Sequence, residues 1–339
     1  MQLYLTWEDN MNKIQTTVGS IIQRVFKESN ESVRRVVWIG AGGSFGGFYA
    51  AQYFMTRNAV TFSSEMFTSN EFVMAPPAYV GDDTLAVVCS MRGTKETCEA
   101  ARVAKSLGAH VVALYVDPSE LTEIADYQVK YESLALDESK TELSNTSIAL
   151  MMAMELVDRT DGYADHDVAM SAFDNVDAIY RRTVGTTTPL AQKWAEKNKM
   201  RKPIYVLGSG PAYGAAYIFS ICNIEEMLQI SSPTTNSCEY FHGPFETLDK
   251  TTSVFQLVSV GRTRPADERS VRFLKEYGGD NVYILDAKEI GLNDLDDRVS
   301  EYFNHIIFAP ILNNVYMRAL SAEIQKSFLT RRYMWKVNY

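Results

Sequence analysis

The chain has 339 residues, 46% of them hydrophobic and 22% charged, with a formal net charge of −9. That length exceeds one ordinary hydrophobic core and points to two domains of globular rather than disordered or fibrous character. The negative balance argues against a nucleic-acid backbone or an anionic membrane as partner, but a local pocket can still be positive enough for a small anionic substrate.

In chain order, residues 1–30 read as a helical arm. The opening MQLYLTWEDNMNK lacks a basic region followed by an apolar one, so no signal peptide is expected. No apolar run approaches the roughly 18 residues of a membrane span, and a soluble, cytoplasmic protein is expected. From Val36, VVWIGAGGSFGGFYAAQYF reads as an apolar strand, a glycine-rich turn and a helix; LAVVCSMRG, TCEAARVAKSLG and HVVALYVD continue the alternation. DRTDGYADHDVAMSAFDNVDAIYRRTVG reads as a helical linker broken at Gly162 and Gly185.

From Ile204 the pattern starts again with IYVLGSGPAYGAAYIFSIC. Gly40 pairs with Gly208, Gly42 with Gly210, Gly46 with Gly214, Ser69 with Ser237 and Gly93 with Gly261, each 168 residues on. The offset drifts to 170 where Gly108 meets Gly278. Two tandem copies of a strand–helix domain with a parallel sheet follow from this. The expected division is 1–30 arm, 31–158 first domain, 159–196 linker, 197–325 second domain and 326–339 tail. The four cysteines have no metal spacing, and Cys89 and Cys222 sit in apolar runs as core residues.

A strand leading through glycines into a helix offers free N–H groups to a phosphate. Dinucleotide binding is the other reading, but it wants G-x-G-x-x-G. Both copies place the third glycine one residue late, and no acidic residue closes a second strand. The next loop of copy one, CSMRGTKET, gathers Ser90, Arg92, Thr94 and Thr97 around Gly93. Such a nest suits a phosphomonoester. Helix capping by Thr94, with Glu96 nearby, is the ordinary alternative. Ser44 in the preceding turn converges on the same place and favours phosphate. The corresponding loop of copy two, SVGRTRPADE, has lost the hydroxyl pattern, while that copy carries the unusual CEYFHGPFE.

These motifs resemble the sugar isomerase (SIS) family of phosphosugar-binding domains, in tandem, over nearly the whole chain. GGS, with Gly43 and Ser44, and SMRGTKET look like its phosphate loops, the second one residue shorter than usual. CEYFHGPFE, TRPADER and the terminal RRYMWKVNY are similar to bacterial fructosamine 6-phosphate deglycases. The resemblance implies an α/β fold of two three-layer αβα domains with parallel, flavodoxin-like or Rossmann-like sheets. It implies hydrolysis of a phosphorylated Amadori compound to glucose 6-phosphate and an amino acid, without metal or organic cofactor. It also implies a homodimer with composite active sites, and catalysis by a glutamate and a histidine sixteen residues apart, here Glu226 and His242. Other activities in reach of the same residues are aldose–ketose isomerisation, aminosugar phosphate deamination and phosphosugar sensing.

The residue chemistry is consistent with that pair. Histidine suits proton transfer at a ring oxygen, and a partly desolvated glutamate suits transfer at carbon. At helical spacing Glu226 shares a stripe with Ala215, Phe219, Cys222 and Ile230, but Glu225 has an apolar stripe too. Helical geometry leaves the two level; the implied spacing selects Glu226. His242 is otherwise a loop histidine on a Gly-Pro turn. Glu239, matched by Glu71 in copy one, is expected to bond loop N–H groups; Glu246 is a weaker candidate. Lys336 is either a cation reaching the site or a surface lysine on a docked tail. His110, His166 and His305 are expected to be structural or exposed.

Overall fold

The runs TLAVVC and SVFQLV are apolar without alternation, the mark of strands covered on both faces. All six residues of each are buried. The computed structural model describes residues 7–134, 138–200 and 202–338. It divides into two compact units, 1–174 and 175–339.

The first unit runs α1 (Trp7–Glu28), β1 (Arg35–Gly40), α2 (Gly43–Gly46), α3 (Tyr49–Asn58), β2 (Ser63–Thr68), α4 (Ser69–Met74), β3 (Thr84–Cys89), α5 (Lys95–Ser106), β4 (His110–Tyr115), α6 (Glu120–Ile124), β5 (Tyr127–Lys130) and α7 (Asn145–Asp161). The strands form a parallel sheet in the order β2-β1-β3-β4-β5. Val37, Ile39, Ala86, Val88 and Val111 pack one face against Phe72 of α4, Cys98 and Ala101 of α5 and Leu121 of α6. The alternate residues Val36, Trp38, Val87 and Val112 are buried on the other face. The helix α1 buries Ile14, Val18, Ile22 and Val25 and packs on α7. The first six residues of the expected arm lie outside the described residues.

The second unit takes up within α8 (His166–Asn198) and runs β6 (Ile204–Gly208), α9 (Ala212–Ile218), β7 (Thr234–Asn236), β8 (Ser253–Val258), α10 (Arg264–Tyr277), β9 (Val282–Asp286), α11 (Asn304–Ile311) and α12 (Met317–Glu323). Its parallel sheet, β7-β6-β8-β9, repeats the first order without a fifth strand. The register repeats as well: Arg35 pairs with Thr84 and Ile204 with Ser253, both 49 residues apart. The chain is thus a tandem pair of parallel-sheet α/β domains. Among the described residues no helix is long and apolar enough to cross a membrane.

Gly162 caps the end of α7 at φ 74°, but Gly185 breaks nothing. The helix α8 continues for 33 residues through Gly185 and Pro189. A Cβ at Gly185 would meet nothing within 4 Å, so no close contact demands glycine there. Thr183, Thr187 and Thr188 hydroxyls each donate to the carbonyl four residues back, so the polar run is satisfied inside the helix.

Candidate active site

In the first unit the glycine turn after β1 leads through Gly42, at φ 57°, into the short α2. A Cβ on Gly40 would meet the Phe45 nitrogen at 2.8 Å, so the strand tip and the turn demand glycine. Gly43 and Ser44 are half-buried at this tip. The Ser44 hydroxyl lies beside the Cys89 thiol and the Tyr131 hydroxyl, and burial pushes that thiol up to about 11.

The loop after β3 turns at Gly93, φ 67°, where a Cβ would meet Ser119 Oγ at 2.4 Å. Buried Ser90 accepts the Thr94 N–H at 3.0 Å. Thr94 stands at the start of α5 without a side-chain cap; its hydroxyl is 2.8 Å from that of Thr97. Thr97 is fully buried and bonds onward to Ser69 at 2.8 Å, so it braces the loop and is closed to a ligand. Arg92, expected to face the phosphate, instead donates to Asp117 at 3.0 Å with 76% of its side chain exposed. A guanidinium on a solvated loop is drawn to the nearest carboxylate of its own chain.

In the second unit the matching loop is closed by its own chain. Buried Asp267 accepts from the Ser209 hydroxyl at 2.8 Å, the Ser259 hydroxyl at 2.6 Å and the Ser259 N–H at 2.9 Å. Burial raises its pKa, and those hydrogen bonds oppose the rise. Arg264 forms a two-pronged pair with Asp286, and Arg262 pairs with Glu301. The groups that could cradle an anion here are already satisfied.

Glu226 lies in a π-helical segment, Phe219–Met227, that continues α9. Five-residue hydrogen-bond spacing there, as from the Leu228 N–H to the Asn223 carbonyl, departs from the 3.6-residue stripe. Accordingly Cys222 is half-buried rather than core, and so is Glu226. The adjacent glutamates are told apart by their partners. Exposed Glu225 accepts the Ser232 N–H at 2.9 Å and ties the helix end to the chain before β7. Glu226 Oε1 accepts from Arg331 Nε at 2.6 Å, with side chains 25% and 9% exposed respectively. The partly desolvated glutamate of the sequence reading is thus half-buried and also paired with a cation.

His242 tops a loop held by aromatic packing. Tyr240 is buried; Phe241 and Phe245 meet Phe273 edge to face with ring centroids 5.5 and 5.7 Å apart. Gly243, at φ 125°, then reverses the chain. His242 is left 68% exposed, its Nδ1 4.0 Å from Glu239 Oε1. Among the described residues Glu239 takes no loop N–H and faces its histidine instead, which corrects the expectation of loop N–H bonds. Among the described residues, Glu226 and His242 are not paired with each other, and Glu246 is exposed. Lys336 is exposed on the tail; the tail cation that reaches the site is Arg331, which sequence reasoning missed although it had singled out the string that begins with it. Tyr339, the last residue of that string, lies outside the described residues.

His110 is half-buried at the start of β4, and the other two histidines are structural in different ways. His166 bonds Glu155 at 2.9 Å, which raises its pKa, and His305 is fully buried. Among the described residues no cluster of three or more His, Cys, Asp or Glu side chains could hold a metal.

No family model matches the chain. It is 30% identical over 333 residues to fructosamine deglycase FrlB from Bacillus subtilis, covering 96% of this chain and 98% of that protein. It is 22% identical over 212 residues to fructoselysine 6-phosphate deglycase from Escherichia coli, covering 62% and 61%. A solved candidate phosphosugar isomerase from Salmonella typhimurium superposes with a TM-score of 0.92 at 36% identity, covering 96% of this chain and 99% of that one.

Proposed function

The chain belongs to the tandem SIS family that includes fructosamine deglycase, a family of phosphosugar-processing enzymes, and from that premise we propose that it hydrolyses a fructosamine 6-phosphate to glucose 6-phosphate and a free amino acid. One observation carries the reading: the end-to-end match to fructosamine deglycase, 96% of one chain against 98% of the other.

The substrate rests mainly as a closed ring. His242 gives a proton to the ring oxygen as the C2–ring-oxygen bond breaks and the C2 hydroxyl gives up its proton to solvent, opening the ring to the 1-amino-2-ketose. Glu226 takes a proton from C1, and a proton returns to C2, which turns the ketose into the C1 imine of the aldose. Water adds to C1 and the amine leaves, generating the aldehyde of glucose 6-phosphate. No electrons are exchanged with a cofactor. Gly43, Ser44, Ser90 and Thr94 hold the phosphate through N–H and hydroxyl groups, and Arg92 adds charge when it leaves Asp117.

These phosphate groups belong to the first unit and the proton carriers to the second. We therefore propose a homodimer whose active sites combine residues of both chains.

The test is to incubate the protein with fructoselysine 6-phosphate, fructose-asparagine 6-phosphate and glucosamine 6-phosphate and assay glucose 6-phosphate and released amine. Product from an amino-acid conjugate is expected. Turnover of the aminosugar phosphate alone would make the protein a deaminase using the same residues.

A further inference from the structure

Glu226 does not meet the C-terminal tail by surface chance. Arg331 is the most enclosed link between them, with 9% of its side chain exposed, and it is held at three points. Nε donates to Glu226 Oε1 at 2.6 Å, Nη1 donates to the Phe328 carbonyl at 2.6 Å, and the guanidinium carbon lies 5.7 Å from the Trp335 ring centre. Trp335 is 78% exposed and adopts φ 63°, a conformation that costs a non-glycine residue. Among the described residues Glu226 Oε2 has no hydrogen-bond partner. One carboxylate oxygen is anchored and the other is left for work.

We infer that Arg331 is a positioning residue for Glu226, so that the seated tail is part of the active site. This rests on the reading of Glu226 as the carrier of the C1 proton. A planar guanidinium fixes a carboxylate's rotamer, which a lysine ammonium does less well. Because Arg331 acts through Glu226, its loss falls on kcat and leaves KM nearly untouched.

The experiment compares Arg331→Gln, Arg331→Lys, Arg332→Gln, Glu226→Gln and the Glu226→Gln/Arg331→Gln double variant of the full chain, with fructose-asparagine 6-phosphate as substrate and thermal unfolding as a folding check. Arg331→Gln is expected to lower kcat roughly 10- to 100-fold, the worth of one charge-assisted hydrogen bond, with KM changed less than about threefold. Arg331→Lys recovers part of the loss. Arg332, whose contact to Gln229 is 3.4 Å, tolerates glutamine with near-normal turnover. The double variant is no slower than Glu226→Gln alone. The inference is overturned by wild-type kcat in Arg331→Gln, by a loss confined to KM, or by equal losses in the glutamine and lysine variants. If Glu226→Gln itself turns over normally, the assignment of Glu226 fails; if it is inactive while Arg331→Gln is unimpaired, only the role of Arg331 fails.

Discussion

Asp267 Oδ2 lies 2.6 Å from the Ser259 hydroxyl and 2.9 Å from the Ser259 N–H, so the second unit closes its loop on a carboxylate of its own. The arrangement explains how one copy of a duplicated domain can lose a ligand loop without leaving polar groups stranded. Asp267→Ala would expose that dependence by stranding the Ser259 N–H in the interior and leaving the Ser209 and Ser259 hydroxyls only Thr263 and each other. We expect a loss of roughly 3 kcal/mol of stability, with Asp267→Asn losing less because it keeps an acceptor. Urea unfolding followed by circular dichroism measures this; an unchanged midpoint for the alanine variant would show that the network is dispensable.

His305 is fully buried, and desolvation lowers its pKa from 6.5 to about 3. Among the described residues both ring nitrogens are without a hydrogen-bond partner. The unfolded chain takes up a proton near pH 6.5 and the folded chain does not until about 3, so this residue favours unfolding as pH falls between those values. The expected slope is about 1.4 kcal/mol per pH unit, or about 2 kcal/mol by pH 5. His305→Leu removes it. Unfolding of both proteins at pH 7.5 and pH 5 checks the point, and identical pH dependence would refute it.

Glu226→Gln and His242→Gln should each lower kcat by roughly 10²- to 10⁴-fold, the usual worth of a placed proton carrier. Mixing the two inactive proteins under subunit exchange tests whether Glu226 and His242 act from different chains of the proposed dimer. If one active site draws Glu226 and His242 from different chains, mixed dimers regain one intact site. No rescue, with exchange verified, would put both in the same chain.

Ser90→Ala should raise KM for the phosphorylated substrate roughly tenfold, since a phosphate contact is worth about 1.5–3 kcal/mol. Arg92→Ala should do less, because its charge is exposed and already engaged by Asp117. Unchanged KM in both variants would remove this loop from the phosphate site.

The duplication was legible in the sequence because glycines at strand tips are fixed by close contacts, and a parallel sheet preserves their spacing; the 49-residue register in both sheets is that spacing in space. Local geometry was harder to read. A 3.6-residue stripe could not foresee the π segment that separates Glu225 from Glu226, because a change of helix type leaves no periodic mark. Gly185 looked like a break because glycine is a weak helix former, yet the 33-residue α8 runs through it. Arg331 was missed because its partner lies 105 residues earlier in the chain, and the Arg92 contact was not foreseen because Asp117 lies 25 residues on.

The aromatic footing of His242 bears on the entropy of turnover. With Tyr240, Phe241 and Phe245 locked around Phe273, the loop is ordered when the domain folds rather than when substrate arrives. Binding then has to still one imidazole side chain, roughly 0.5–1.5 kcal/mol. A floppy loop would add about 1–2 kcal/mol for each backbone residue frozen. Loosening the footing, as Phe273→Ala does, should therefore appear as a more negative activation entropy while the imidazole itself is unchanged.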